Sequence, residues 1–137
     1  MILDEKYETG VLWQDFQHKQ LIDLFGKVKE AKSNNTDGNL YRYTVAFLAM
    51  YVNHHFKLEE NYMDKYKYPG KDKHFDEHRT FIKELKEFRA EHSEYSEECT
   101  DDLLIRMGDW ILGHILRDDM LLGEFILAAE KKIIAIK

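Results

Sequence analysis

The residues most able to do chemistry are a histidine and a glutamate spaced four apart, His55 and Glu59, in a long amphipathic stretch. On an ideal α-helix this spacing separates two side chains by about 40° around the axis, so both can face one buried object. A carboxylate on a core-facing stripe is costly to bury unless a cation or several hydrogen-bond donors compensate its charge. The pair therefore predicts metal ligands on the apolar side of a helix.

Further candidate ligands occur in the other apolar segments of the chain. His74 and His78 are again four residues apart, while His114 and Asp119 lie in the last segment and His18 lies in the first. Mixed imidazole and carboxylate ligands suit iron, zinc or manganese better than calcium or magnesium, which prefer oxygen. Seven ligands are too many for one tetrahedral zinc ion but suit two metals bridged by two carboxylates. The five histidines then divide as three and two, which leaves an open position on one metal.

The spacing of His114 and Asp119 conflicts with a regular helix. Five residues correspond to about 140° around an ideal α-helix, so the two side chains cannot both face the metals without a local distortion. We therefore predict a widened turn of π type, or a helix end, near residues 117–119. Asp118 is the alternative ligand if the helix is regular there.

The remaining histidines and the cysteine have simpler interpretations. His54 precedes His55 but has Leu58 four residues later, so its register predicts an outward side chain. His92 lies in an acidic connection, and we expect it to be solvated. Cys99 is the only cysteine, which excludes an internal disulfide and a zinc site built from several cysteines.

Composition limits the class of protein and its partners. The 137 residues fit one domain, and 44% hydrophobic with 34% charged residues is ordinary for a globular protein. The net charge of −6, without a cluster of Lys and Arg, argues against nucleic acid and anionic membranes as partners. The first residues lack the apolar core of a signal peptide, and no run is long enough to span a bilayer. We expect a cytoplasmic protein.

One proline and seven glycines leave few helix breakers, which favours long helices. Apolar residues recur at helical intervals in four segments, and the sequence around Pro69 and Gly70 marks a stop between the second and third. The expected fold is all-α, an antiparallel up-down-up-down four-helix bundle. Its parts are an irregular N-terminal arm at residues 1–12, helices at about 13–32, 40–66, 72–91 and 98–117, and a helical C-terminal tail at 121–136 that packs back on the bundle.

The combined pattern resembles the hemerythrin family, in its bacterial single-domain branch. Residues 15–21, 55–60, 74–78 and 110–119, together with Met63, carry the resemblance, which spans most of the chain. It implies a single hemerythrin-like domain over residues 1–137 that holds two iron ions (Fe2+/Fe3+) joined by an oxo or hydroxo bridge. By resemblance, one iron is held by His74, His78 and His114, the other by His18 and His55, and the bridging carboxylates are Glu59 and Asp119.

The same resemblance implies the function. Reversible dioxygen binding is expected, for carrier, storage or delivery purposes, in a protein that is not an enzyme. A di-iron peroxidase, ferroxidase or nitric-oxide-handling enzyme is the alternative, as is an oxygen or redox sensor. We expect a monomer with an oxygen-consuming enzyme as a candidate partner. The core residues expected to line the oxygen pocket are Phe56, Met63, Trp110, Ile111 and Ile115.

Overall fold

Four helices contain nearly all the residues that the computed structural model describes, which are 8–33, 38–92 and 96–136. Helix α1 is Leu12–Ser33, α2 is Gly38–Tyr66 and α3 is Lys71–Glu91, and α4 extends over residues 97–136. No strand occurs within these ranges. The predicted all-α four-helix bundle is confirmed. Residues 8–11 are non-helical as predicted for the arm, Leu12 already belongs to α1, and residues 1–7 lie outside the described part of the chain.

Helix α4 is continuous but not uniform. It contains two π-helical segments, Leu103–Gly108 and Ile115–Asp119, between α-helical segments Glu97–Asp102, Asp109–His114 and Met120–Ile136. The predicted C-terminal tail is helical and packs against α2. However, it continues α4 directly, so the break expected between residues 117 and 121 is absent. One turn of the helix is widened there, which accommodates the five-residue spacing of His114 and Asp119 without ending the helix.

The connection between α2 and α3 follows from local backbone chemistry. Lys67 adopts a left-handed conformation with φ 53°. The N–H of Tyr68 then donates to the carbonyl of Met63 at 2.9 Å, and the N–H of Lys67 donates to that of Asp64 at 3.4 Å. These are the two bonds of a Schellman C-cap, which satisfies the last carbonyls of a helix. The predicted stop before Pro69 is therefore confirmed, and α3 begins at Lys71.

Buried apolar side chains form two clusters at different levels of the bundle. The large apolar cluster draws on all four helices and includes Leu21, Leu48, Phe56, Phe81, Met107, Ile111 and Ile115. The small apolar cluster consists of Val11, Met63, Leu122 and Ile126. Along α2, Glu59 lies between Phe56 and Met63, so the candidate ligands occupy a polar layer between the two clusters. Along the described residues, no helix combines the length and the apolar character needed to cross a membrane.

Candidate metal centre

All seven predicted ligands meet in one buried layer of the bundle. None of the seven residues is more than 3% exposed. Their ligand atoms form two overlapping groups in which all atoms lie within 4.8 Å of one another. One group contains Glu59, His74, His78, His114 and Asp119, and the other contains His18, His55, Glu59 and Asp119. We call the histidines of the first the three-histidine group and those of the second the two-histidine group.

Helical spacing explains how each helix presents its ligands. Helix α1 contributes His18, and the two four-residue pairs come from α2 and α3 as predicted. On α4, the π-helical segment Ile115–Asp119 has the i→i+5 bonding that brings residues five apart onto one face. The Oδ1 atom of Asp119 consequently lies 2.9 Å from Nε2 of His114. The predicted widened turn is confirmed, and Asp119 points into the layer.

Each buried carboxylate presents one oxygen to each histidine group. Oε1 of Glu59 lies 3.1 Å from Nε2 of His78, whereas Oε2 lies 3.5 Å from Nε2 of His55. The Oδ1 atom of Asp119 faces His114, whereas its Oδ2 lies 2.8 Å from Nε2 of His18. Two carboxylates that divide their oxygens in this way have the disposition required to bridge two metal ions.

Several polar atoms of the layer are close to one another without being hydrogen-bonded. Nε2 of His74 lies 3.1 Å from Oδ1 of Asp119, and Nε2 of His114 lies 2.9 Å from the same oxygen. All three atoms are buried and have no hydrogen-bond partner in the structure. Buried polar groups are normally hydrogen-bonded. Nitrogen and oxygen atoms that lie close together without hydrogen-bond alignment can share a cation. These imidazole and carboxylate ligands are therefore suited to metal ions in both chemical type and orientation.

The charges of the layer are strongly coupled. Burial and the Asp119 carboxylate act to raise the pKa of Glu59, but the surrounding histidines, His55 first among them, lower it overall. Burial acts to lower the pKa values of His74 and His114, but the nearby negative charges of Asp119 and Glu59 raise them to about 9 and about 10, with Asp118 adding to the effect at His114. Without metal, protons on these histidines balance the carboxylates. Metal binding must release those protons, because a ligating imidazole is neutral.

Three of the ligand histidines are oriented by oxygen atoms outside the ligand layer. In each case Nδ1 faces an oxygen that only accepts, so Nδ1 carries the proton and Nε2 is left to face the layer. The pairs are Gln17 Oε1 with His55 at 2.5 Å, Glu60 Oε2 with His78 at 2.8 Å, and Asp118 Oδ2 with His114 at 3.0 Å. Asp118 is the predicted alternative ligand, but in the structure it orients His114 instead. Its spacing of four residues from His114 was the available signal for this role.

A further buried polar residue, Gln14, was not identified from the sequence. It is 0% exposed, and its Nε2 donates to Oε2 of Glu59 at 2.7 Å and approaches the backbone carbonyl of Asp119 at 3.5 Å. Glu59 is 45 residues away in the chain. Because the contact joins α1 to α2 across the bundle, no spacing rule within one helix predicts it.

Aromatic rings cover the side of the layer that faces the large apolar cluster. The Phe56 ring stacks on His78 with centroids 3.9 Å apart, and the Trp110 ring stacks on His114 at 4.7 Å. Ile111 and Ile115 are buried in the same cluster. The structure thus brings together four of the five residues predicted to line an oxygen pocket. Met63 differs, because it belongs to the small apolar cluster on the opposite side of the ligand layer.

The two histidines excluded as ligands have different surroundings. His54 is exposed, as predicted. The prediction that His92 is solvated is wrong, because its Nε2 lies 2.9 Å from Oδ2 of Asp102 and its Nδ1 lies 3.2 Å from Sγ of Cys99. His92 caps the end of α3, where its backbone N–H donates to the carbonyl of Phe88. Its ring lies against the first turns of α4, a contact that composition alone does not reveal.

Comparison with known proteins gives consistent matches over most of the chain. Residues 9–126 match the family model described as the hemerythrin HHE cation binding domain. A bacteriohemerythrin of Pseudomonas aeruginosa is 24% identical over 119 residues, which cover 87% of this chain and 76% of the relative. Bacteriohemerythrins of Campylobacter jejuni (26% identity, 77% and 79% covered) and Stenotrophomonas maltophilia (23% identity, 93% and 82% covered) are also similar. The family match includes all seven candidate ligands, from His18 to Asp119.

Proposed function

Because the chain belongs to the hemerythrin family, we propose that it binds dioxygen reversibly at a non-heme di-iron centre and serves in oxygen transport, storage or delivery. The observation that supports this most directly is the division of each carboxylate between the two histidine groups, with Glu59 and Asp119 both fully buried. Two bound ferrous ions would supply the electrons that reversible dioxygen binding requires. The residues of the chain hold, orient and enclose those ions.

The ligand count makes the two ion positions unequal. The three-histidine group would hold one iron and the two-histidine group the other, with Glu59 and Asp119 shared between them. The second position therefore receives one protein ligand fewer. An external molecule can bind only where the protein leaves a position open, so we assign dioxygen to the side of His18 and His55.

The apolar wall supports a carrier over an enzyme. Phe56 lies with its ring centroid 5.9 Å from that of His55 and 3.9 Å from that of His78, so it borders both ion positions. Trp110, Ile111 and Ile115 extend the same surface. The phenylalanine and isoleucine side chains exclude water and carry no proton donor, and Trp110 presents the face of its ring to His114. Peroxidase, ferroxidase, nitric-oxide handling and sensing are the alternative functions. A monomeric state, a cytoplasmic location and an oxygen-consuming partner enzyme stay predictions.

Metal analysis tests the proposal directly. The purified protein should contain two irons per chain, and the reduced form should develop a visible charge-transfer band in air that disappears again under argon. One zinc per chain, or a band that does not reverse, would contradict reversible oxygen binding. His74→Ala and His78→Ala should lose iron, whereas the exposed His54→Ala is the matched control and should retain it. Equal iron content in all three variants would reject the ligand assignment.

A further inference from the structure

Gln14 occupies a position that several neighbouring residues hold in place. The Asp15 carboxylate accepts hydrogen bonds from the N–H groups of Thr9 at 2.7 Å and Gly10 at 3.1 Å, which ties the preceding segment to the first turn of α1. On α4, a Cβ atom added at Gly123 would lie 2.6 Å from Cβ of Thr9 and 3.1 Å from Oε1 of Gln14. The absence of a side chain at Gly123 thus leaves space for both residues. The Gln14 amide is fixed against the ligand layer.

The contact of Gln14 with Glu59 is asymmetric. Its Nε2 donates to Oε2, the oxygen that faces His55, at 2.7 Å. The other oxygen, Oε1, faces His74 and His78 of the three-histidine group. A hydrogen bond to a carboxylate oxygen is charge-assisted and withdraws electron density from that oxygen. The amide of Gln14 therefore hydrogen-bonds the oxygen of Glu59 that faces the two-histidine group.

We propose that Gln14 is a positioning residue that orients Glu59 and raises the reduction potential of the iron at the two-histidine position. This inference rests on the proposed di-iron function. A carboxylate oxygen that already accepts a hydrogen bond is a weaker donor to a metal ion. Weaker donation favours Fe(II) over Fe(III), because the more highly charged ion gains more from an electron-rich ligand. Gln14 thus helps to keep the centre in the ferrous form that takes up dioxygen.

If Gln14 served only to stabilise the fold, replacing it would destabilise the metal-free protein. Its Oε1 atom is buried and has no hydrogen-bond partner in the structure, so the amide carries an uncompensated desolvation cost. An apolar side chain of similar volume would avoid that cost. This gain opposes the loss of the hydrogen bond from Nε2 to Glu59, so replacing Gln14 should leave the unfolding temperature of the metal-free protein nearly unchanged. A loss confined to the iron-loaded protein would then come from the contact with Glu59.

The test compares Gln14→Met with the parent and with Leu12→Met, which places methionine at an exposed position of the same helix. We expect Gln14→Met to lower the midpoint potential by about 59 mV. For a one-electron couple, this shift corresponds to a tenfold change in the ferrous-to-ferric ratio. Because Glu59 is then no longer held in position, a chelator should also remove the iron about tenfold faster. The thermal unfolding temperature of the iron-free Gln14→Met protein should change little, and Leu12→Met should match the parent in potential and iron retention.

Specific results would overturn the inference. If Gln14→Met holds two irons at the parent potential, the hydrogen bond does not tune the centre. If the iron-free Gln14→Met protein loses stability while the iron-loaded form keeps the parent potential, Gln14 is only structural. Gln14→Leu provides a second variant that cannot donate a hydrogen bond, and it too should lower the potential. Absence of iron from the parent would instead refute the proposed function, so the two failures are distinguishable.

Discussion

Replacing Asp118 by alanine should weaken iron binding about ten- to a hundredfold, the usual effect of removing an outer partner of a metal-ligating histidine. Asp118 is 8% exposed, and its Oδ2 accepts from Nδ1 of His114 at 3.0 Å. The hydrogen bond to His114 also lowers the pKa of Asp118, so the carboxylate is charged at neutral pH. Without this acceptor, the imidazole loses the partner that holds its proton on Nδ1 and directs Nε2 toward the ligand layer.

The expected loss corresponds to about 1.4 to 2.8 kcal/mol of binding free energy, since each tenfold change is worth about 1.4 kcal/mol. Asp118→Asn should lose less, because its amide oxygen can still accept from Nδ1 but carries no full charge. Competition with a chelator of known affinity, followed by the iron absorption band, measures the change. The wall and all seven ligands remain in both variants, so their fold should be preserved.

Asp109→Ala is the matched control, because Asp109 is an exposed aspartate on the same helix. It should bind iron as the parent does. Asp118 does not support iron binding through His114 if Asp118→Ala binds iron within about twofold of the parent, or if both alanine variants lose affinity equally. In the second case the loss would reflect the charge of the protein rather than the orientation of His114.

Two further predictions concern the metal-free protein and the apolar wall. The raised pKa values of His74 (about 9) and His114 (about 10) mean that their stabilising contribution is complete below the ordinary value of 6.5 and is lost as pH rises through 9 and 10. Urea unfolding should show this decline in the free energy of unfolding in iron-free protein only. The lowered pKa of Glu59 should give a separate loss of stability as the pH falls below the ordinary value of 4.5. Trp110→Ala or Ile115→Glu should accelerate autoxidation with most iron retained, as stopped-flow oxygenation and subsequent bleaching would reveal. Parent-like oxygen lifetimes in both would contradict a guarding role for the wall.

Contacts between helices determine which side chains hydrogen-bond the candidate ligands. Gln14 and Gln17 reach Glu59 and His55 across the bundle, and Glu60 reaches His78 from α2 to α3. Such contacts depend on the relative rotation of packed helices, which hydrophobic periodicity does not specify to within one side chain. The solvated interpretation of His92 failed for the same reason.

The sequence by itself determined the features that depend on spacing within one helix. The pairs four residues apart predicted inward-facing ligands on α2 and α3, and the five-residue interval from His114 to Asp119 predicted the π-helical turn found at Ile115–Asp119. Only the tertiary structure decided how the carboxylate oxygens divide between the two histidine groups and that Met63 lies on the other side of the layer from Phe56. The physical reason is that helix geometry is set by backbone hydrogen bonds between near neighbours, whereas side-chain contacts between helices follow from how the whole core packs.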